Sequence, residues 1–311
     1  MLIELRIKGA TMRGFLTINH NKLEILQKGE NGTPIIILTG MGCSFDEWHN
    51  VIETLSDLNR VITFHRPGLG ESDIRNEVRN TQAVVNDINE LIHLLEINEP
   101  VLLVGHSYGG LCAQHFVKVH PEKVAGIVLV DSTSVDVKIL DELDLSVLNE
   151  GSTDEIWMEK CTAYFQMNKE ELRRIIIPTL RKELKQPPDD VQQRLMNFQI
   201  NPCLYKAMHE EISNWKKDVE IIKNLGGIPN VPLVVIGRDK EHSIRSGLEE
   251  GYLESELRIY EEKWEELIRN QAELSSNSRL IVAQDAGHSI HLDRPDIIME
   301  AITWVDTRKS K

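Results

Sequence analysis

The sequence predicts an α/β fold: a mostly parallel eight-stranded sheet with helices on both faces and a helical cap. Three observations predict it. Short β-rich apolar runs alternate with helical patterns over 35–130 and again over 231–306. A serine, Ser107, stands between Gly105 and Gly109, after a buried run at 101–104 and before a helical pattern. The stretch 132–227 then breaks the alternation with helical patterns, Pro187-Pro188 and few β-rich runs. Inserted between two core strands, it would sit over the C-terminal sheet edge, where ligands bind in open α/β folds. The expected division is a core of 1–131 and 228–311 and a helical cap of 132–227.

The elements follow in order. Residues 1–29 read as two antiparallel lead-in strands, the second around 23–26 and ending at Lys28-Gly29. A buried run at 35–39 leads to a turn at 40–42 and a helix over 46–58. A strand at 60–65 precedes a helix over 81–95, with apolar positions at Val84, Val85, Ile88, Leu91, Ile92 and Leu95. The serine-bearing unit comes next, then a buried strand at 124–130. The last core units are strands at 231–236 and 279–283 and a closing helix near 295–306. Between those strands, 241–273 holds ten glutamates and four basic residues. Leu253, Leu257, Tyr260, Trp264, Leu267 and Leu274 recur there at helical spacing, so a long acidic helix with one packing stripe is expected.

Composition narrows the function classes. Hydrophobic content of 41% and charged content of 27% are ordinary for a soluble globular protein. A net charge of −14 disfavours nucleic acid and anionic membrane surfaces as partners, because phosphate binding needs a basic stripe. The four cysteines are scattered, which suits reduced thiols better than a disulfide framework or a zinc site. The first eight residues alternate like a strand and carry no signal-peptide apolar region, so a cytoplasmic location is expected.

Gly105-His106-Ser107-Tyr108-Gly109 fits the G-x-S-x-G nucleophile elbow. Side chains at the two glycines would clash where strand and helix converge, and the tight turn lifts the serine hydroxyl out of the sheet. A serine hydroxyl is a weak nucleophile at neutral pH, so it needs a general base and an oxyanion hole. His288, in a loop between the last β-rich run and the closing helices, is the candidate base; His106, His115, His120 and His291 are placed less well. Thr39-Gly40-Met41-Gly42 follows a strand and precedes a helix. The backbone N–H of Met41 is therefore expected to join that of Tyr108 around a developing oxyanion. A dinucleotide-binding reading of Gly40-Met41-Gly42 fails, because Phe45 stands where the third glycine belongs and the next strand ends in His65 rather than an acidic residue.

With these motifs the chain resembles the α/β-hydrolase superfamily. Gly-His-Ser-Tyr-Gly-Gly at 105–110 resembles its elbow, and 66–72 (Arg-Pro-Gly-Leu-Gly-Glu-Ser) its loop after the fourth strand. Ala286-Gly287-His288 resembles its histidine loop, and Asp46-Glu47-Trp48 its first helix. The likeness spans roughly 1–131 and 231–306. It implies a Ser–His–acid triad and leaves the acid open. Thr39-Gly40 replaces the family's usual His-Gly, and Gly237-Arg238-Asp239-Lys240 puts lysine where the acid commonly stands. Asp131, at the end of the 124–130 strand, occupies the alternative position used by relatives resembling haloalkane dehalogenases. Asp131 is the favoured acid, Asp239 the alternative, and Glu241 a third candidate.

The expected function is a serine hydrolase acting on a carboxylic ester or related acyl bond of a small molecule through an acyl-enzyme, with no metal and no organic cofactor. An acyltransferase, or a small-molecule receptor or signalling protein with little turnover, are the alternatives. The acidic 241–273 stretch and the shifted acid motif are compatible with the receptor.

Overall fold

The computed structural model describes residues 4–8 and 11–309. Among the described residues nine strands form one sheet: β1 (Glu4–Lys8), β2 (Thr11–Ile18), β3 (Asn21–Lys28), β4 (Pro34–Leu38), β5 (Arg60–Phe64), β6 (Val101–His106), β7 (Val124–Val130), β8 (Leu233–Arg238) and β9 (Ser278–Ala283). Their spatial order is β1-β2-β3-β5-β4-β6-β7-β8-β9. The first three strands run antiparallel to their neighbours, and from β5 onward every pairing is parallel. Residues 1–3 of the expected first strand lie outside the described residues.

The lead-in contains three strands rather than the two expected, because β2 and β3 form a hairpin across Asn19-His20. Both turn residues have positive φ, 47° and 66°, the left-handed pair that a two-residue hairpin requires. Asparagine is a known donor of that conformation, whereas histidine is a weaker sequence signal.

Every residue of β4 and β6 is buried, as central parallel strands covered on both faces must be. Side chains of the alternating strand positions feed two cores. On one face Ile36, Leu103, Ile127 and Val235 pack with the helices α2 (Thr81–Leu94) and α3 (Tyr108–Val119). On the other, Ile35, Val104, Val128 and Ile236 pack with α1 (His49–Leu55) and the closing helix near the C-terminus. The helix expected over 46–58 is a 3₁₀ turn at Phe45–Trp48 running into the short α1. Ser44 starts it with a capping box: its hydroxyl accepts an N–H while the Glu47 carboxylate accepts its own backbone N–H.

Between β7 and β8 the chain is helical: α4 (Ser146–Ser152), α5 (Asp154–Phe165), α6 (Lys169–Ile176), α7 (Asp189–Gln199) and the 23-residue α8 (Pro202–Asn224). The acidic stretch is two helices, α9 (Lys240–Glu249) and α10 (Glu254–Ala272), instead of the single one expected. Gly251, at φ 94°, makes the break, a conformation that L side chains rarely adopt. Of the stripe, Leu257, Trp264 and Leu267 are buried, whereas Leu253 lies in the connection and is exposed. The chain closes with α11 (Ile290–Asp293) and α12 (Pro295–Asp306). Among the described residues no helix is long and apolar enough to cross a membrane.

Candidate active site

Parallel register brings the candidate residues to one edge of the sheet. Leu38 of β4 lies opposite Gly105 of β6, and His106 lies opposite Val130 of β7. The chain segments that leave these strands, Thr39–Gly42, Ser107 and Asp131, therefore emerge side by side.

Ser107 occupies the turn with φ 52° and ψ −121°, and α3 starts at the next residue. Its backbone N–H donates to the Val130 carbonyl at 3.2 Å, and its carbonyl accepts from Gly110 at 2.9 Å and Thr133 at 3.2 Å. These bonds hold a strained conformation in place. Both flanking glycines are sterically required. A Cβ on Gly105 would stand 2.6 Å from the Gly109 carbonyl oxygen, and one on Gly109 would stand 2.1 Å from that of Leu38.

His288 and Asp131 meet: imidazole Nδ1 lies 2.6 Å from the Asp131 carboxylate. Asp131 is completely buried while the His288 side chain is 42% exposed, so the pair runs from the interior to the open edge. With Nδ1–H donating to the carboxylate, Nε2 keeps its lone pair. Three further donors surround Asp131. They are Trp264 Nε1 at 3.0 Å, the Arg238 backbone N–H at 3.2 Å and the Arg238 guanidinium at 3.2 Å. Burial alone would raise the carboxyl pKa, but Arg238, His288 and Trp264 outweigh it and hold the group well below the usual carboxylate range. Asp131 is thus a fixed anion.

Arg238 is itself locked. Glu261 of α10 accepts from it at 2.9 and 2.6 Å, and its guanidinium lies 4.4 Å from the centre of the Trp264 ring. Trp264 also stands edge-on to His288, with ring centres 6.0 Å apart. The residue read from the sequence as part of a packing stripe therefore supports the acid directly. The β7–β8 register brings Arg238 there: with Val130 opposite Ile236, the end of β8 passes beside Asp131.

Asp239 and Glu241, the other acid candidates, do not meet His288. Asp239 caps α9, accepting from the Glu241 and His242 N–H groups, and its second oxygen accepts from Asp285. Glu241 pairs with Arg258. The shift of aspartate by one position thus turned it into a helix cap that also anchors the 283–288 loop.

Two of the other histidines, His106 and His291, pack behind the base. His106 Nε2–H donates to the His288 carbonyl at 3.0 Å, and its ring lies 4.7 Å from that of His288. His115 bonds the Thr81 hydroxyl. His291 stacks on Trp48, with ring centres 4.5 Å apart. Burial, with His288 and Arg181 adding, drives the His291 pKa down to about 3. The Glu47 carboxyl 3.7 Å away is pushed up to about 7 by burial, so below that pH it does not favour charging His291. Unfolded histidine titrates near 6.5, so between pH 6.5 and 3 the unfolded chain binds the extra proton and acid destabilises the fold. The expected loss from His291 alone is about 2 kcal/mol at pH 5 relative to pH 7. Urea unfolding of wild type and His291→Phe at the two pH values checks this: the variant should lose less stability on acidification.

A cleft of about 720 Å³ opens at His288. Leu145 and Trp215 wall it from the helical segment between β7 and β8, and Tyr252, Leu257 and Tyr260 from the α9–α10 side. The Thr39–Gly42 turn leaves β4 against the start of α3, where a Cβ on Gly109 would stand 2.7 Å from the Thr39 carbonyl oxygen. The Cys43 N–H donates to the Gly40 carbonyl at 3.3 Å, and Gly42 has φ 65°.

Comparison with known proteins agrees with this architecture. Residues 33–172 match the family model of the alpha/beta hydrolase fold. An uncharacterized protein of Bacillus subtilis, YqjL, is 21% identical over 280 residues, covering 89% of this chain and 84% of its own. The enol-lactonase from Burkholderia xenovorans superposes with a TM-score of 0.66 at 17% identity, covering 94% of this chain and 98% of that one. The epoxide hydrolase CorEH superposes with a TM-score of 0.65 at 16% identity, covering 96% and 99%. The chain has the α/β-hydrolase fold. Its fold is common to proteins named for different hydrolytic reactions, so the reaction has to be argued from the site.

Proposed function

We propose that this protein is a serine hydrolase that cleaves a carboxylic ester or related acyl bond of a small molecule. The observation that carries the reading is the 2.6 Å pairing of His288 with the buried Asp131 at the sheet edge where the elbow places the half-buried Ser107. In this reading Ser107 Oγ attacks the acyl carbon while His288 Nε2 takes the hydroxyl proton. The N–H groups of Met41 and Tyr108 receive the developing oxyanion. His288 then returns the proton to the leaving alcohol, and water, deprotonated by the same imidazole, releases the acid and regenerates Ser107. The balance closes with water as co-substrate and needs no cofactor.

Serine at the elbow favours acyl over epoxide substrates. Attack of Ser107 on an epoxide carbon would leave an alkyl ether, which has no carbonyl for water to attack, and turnover would stop. The helices of 132–227 serve as the cap in this reading and supply walls of the cleft beside His288. All four cysteines are free thiols, which suits a reducing compartment such as the cytoplasm.

A fluorophosphonate probe tests the proposal when combined with turnover of short-chain p-nitrophenyl esters. Stoichiometric labelling at Ser107 together with multiple turnovers is the expected result. No labelling would remove the activated nucleophile. Labelling without turnover would turn the assignment toward a receptor or an acyl transfer to another acceptor.

A further inference from the structure

Glu211 of α8 is completely buried, although it lies in the helical segment outside the core sheet. Its carboxylate accepts four N–H bonds: from Arg66 Nε at 2.7 Å and Nη2 at 3.1 Å, and from Arg79 Nε at 3.1 Å and Nη2 at 2.7 Å. The remaining donors of Arg66 go to the turn after β4. Nη1 donates to the Thr39 carbonyl at 2.8 Å and Nη2 to the Gly40 carbonyl at 2.9 Å. The guanidinium also lies 5.2 Å from the centre of the Tyr108 ring. One side chain thus touches both segments expected to supply the oxyanion hole.

The Gly40 carbonyl and the Met41 N–H are two ends of a single peptide unit. That unit is planar and trans, so its C=O and N–H point in opposite directions. Gripping the carbonyl from one side therefore aims the N–H to the other. The charged donor also polarises the peptide and makes its N–H a better donor. Arg66 can do this only where its own fork is held, and Glu211 fixes it through two parallel bonds.

We propose that Arg66 and Glu211 are positioning residues for the oxyanion hole, so that the helical segment acts on the catalytic step through the Gly40–Met41 peptide as well as by shaping the cleft. The idea rests on the serine-hydrolase reading. The competing role is purely structural: a buried ion pair that fastens α8 to the core. Asp87 provides a matched control. It is equally buried and bonds Arg75 at 2.7 Å, but neither residue touches the turn after β4.

The test compares wild type, Glu211→Gln, Glu211→Asp and Asp87→Asn. It measures thermal unfolding, kcat and KM for a neutral p-nitrophenyl ester, and the inhibition constant of phenylboronic acid, which forms a tetrahedral adduct on the serine. Glu211→Gln should lower kcat by about 30-fold, between a small misalignment and full loss of an oxyanion donor, with KM changed by less than about 3-fold. Boronate inhibition should weaken in parallel. Asp87→Asn should lower the melting temperature while keeping kcat and boronate inhibition within about 2-fold of wild type. If Glu211→Gln does not fold, Glu211→Asp keeps the buried charge but withdraws it from Arg66, and carries the same expectation at smaller size. A folded Glu211 variant with wild-type kcat overturns the proposal. So does an equal loss of kcat in Asp87→Asn, or a boronate constant that does not move. If wild type shows no Ser107-dependent hydrolysis, the serine-hydrolase reading itself falls and this inference with it. Wild-type hydrolysis with unaffected variants removes the inference alone.

Discussion

Replacing Ser107 by alanine is expected to lower kcat for a p-nitrophenyl ester by about 10⁶-fold, because nucleophile and base act as one unit and the remaining residues cannot substitute for a missing attacking atom. The fold should tolerate the change. The Ser107 side chain makes no capping hydrogen bond to α3, and the positive φ is imposed by the bonds of its backbone rather than by the hydroxyl. Circular dichroism and melting temperature should therefore stay near wild type while turnover collapses and fluorophosphonate labelling disappears. Substrate binding should persist, since the cleft walls are untouched. A well-folded Ser107→Ala protein that still turns over the ester would take this residue out of the chemistry and leave the elbow as a packing device.

The elbow was readable because its physics is local. Gly105, Ser107 and Gly109 are required by atoms within one turn and by the neighbouring strand end at Leu38, and such close approach leaves glycines in the sequence. The central strands were readable for a related reason: β4 and β6 are buried on both faces, so each is a short continuous apolar run. At the antiparallel edge β2 was missed. Only Gly14, Leu16 and Ile18 of it are buried, and a turn made of Asn19-His20 lacks the usual glycine. The acid could be narrowed to a few carboxylates but not chosen, because the choice depends on where the 283–288 loop folds back. That loop is anchored by the other candidate, Asp239, whose oxygens are taken up by the α9 cap and the Asp285 N–H. Arg238, Trp264 and Glu211 were invisible as site residues for the same reason. Each acts across more than 100 positions of sequence, through bonds that exist only once β8 has paired with β7 and helices α8 and α10 have docked.

Asp131→Asn is the second large effect, expected to lower kcat by about 10⁴-fold. An asparagine amide placed at this carboxylate can present its N–H₂ to His288 Nδ1, which must then accept. The proton moves to Nε2, and the imidazole can no longer take the Ser107 proton. The neutral amide also cannot stabilise the imidazolium that forms during attack. Some stability should be lost as well, because Arg238 keeps only Glu261 as its charged partner in a buried setting, so rates should be compared well below the melting temperature. Asp239→Asn is the discriminating partner experiment. Asparagine caps helices about as well as aspartate, and this side chain has no bond to His288, so kcat should stay within a few-fold of wild type. The opposite ranking, a severe loss at 239 and a mild one at 131, would show that the 283–288 loop rearranges in the working enzyme and that Asp239 supports the base. Comparable mild losses at both positions would mean that His288 acts without a buried acid, and the 2.6 Å pair would then serve only to hold the loop.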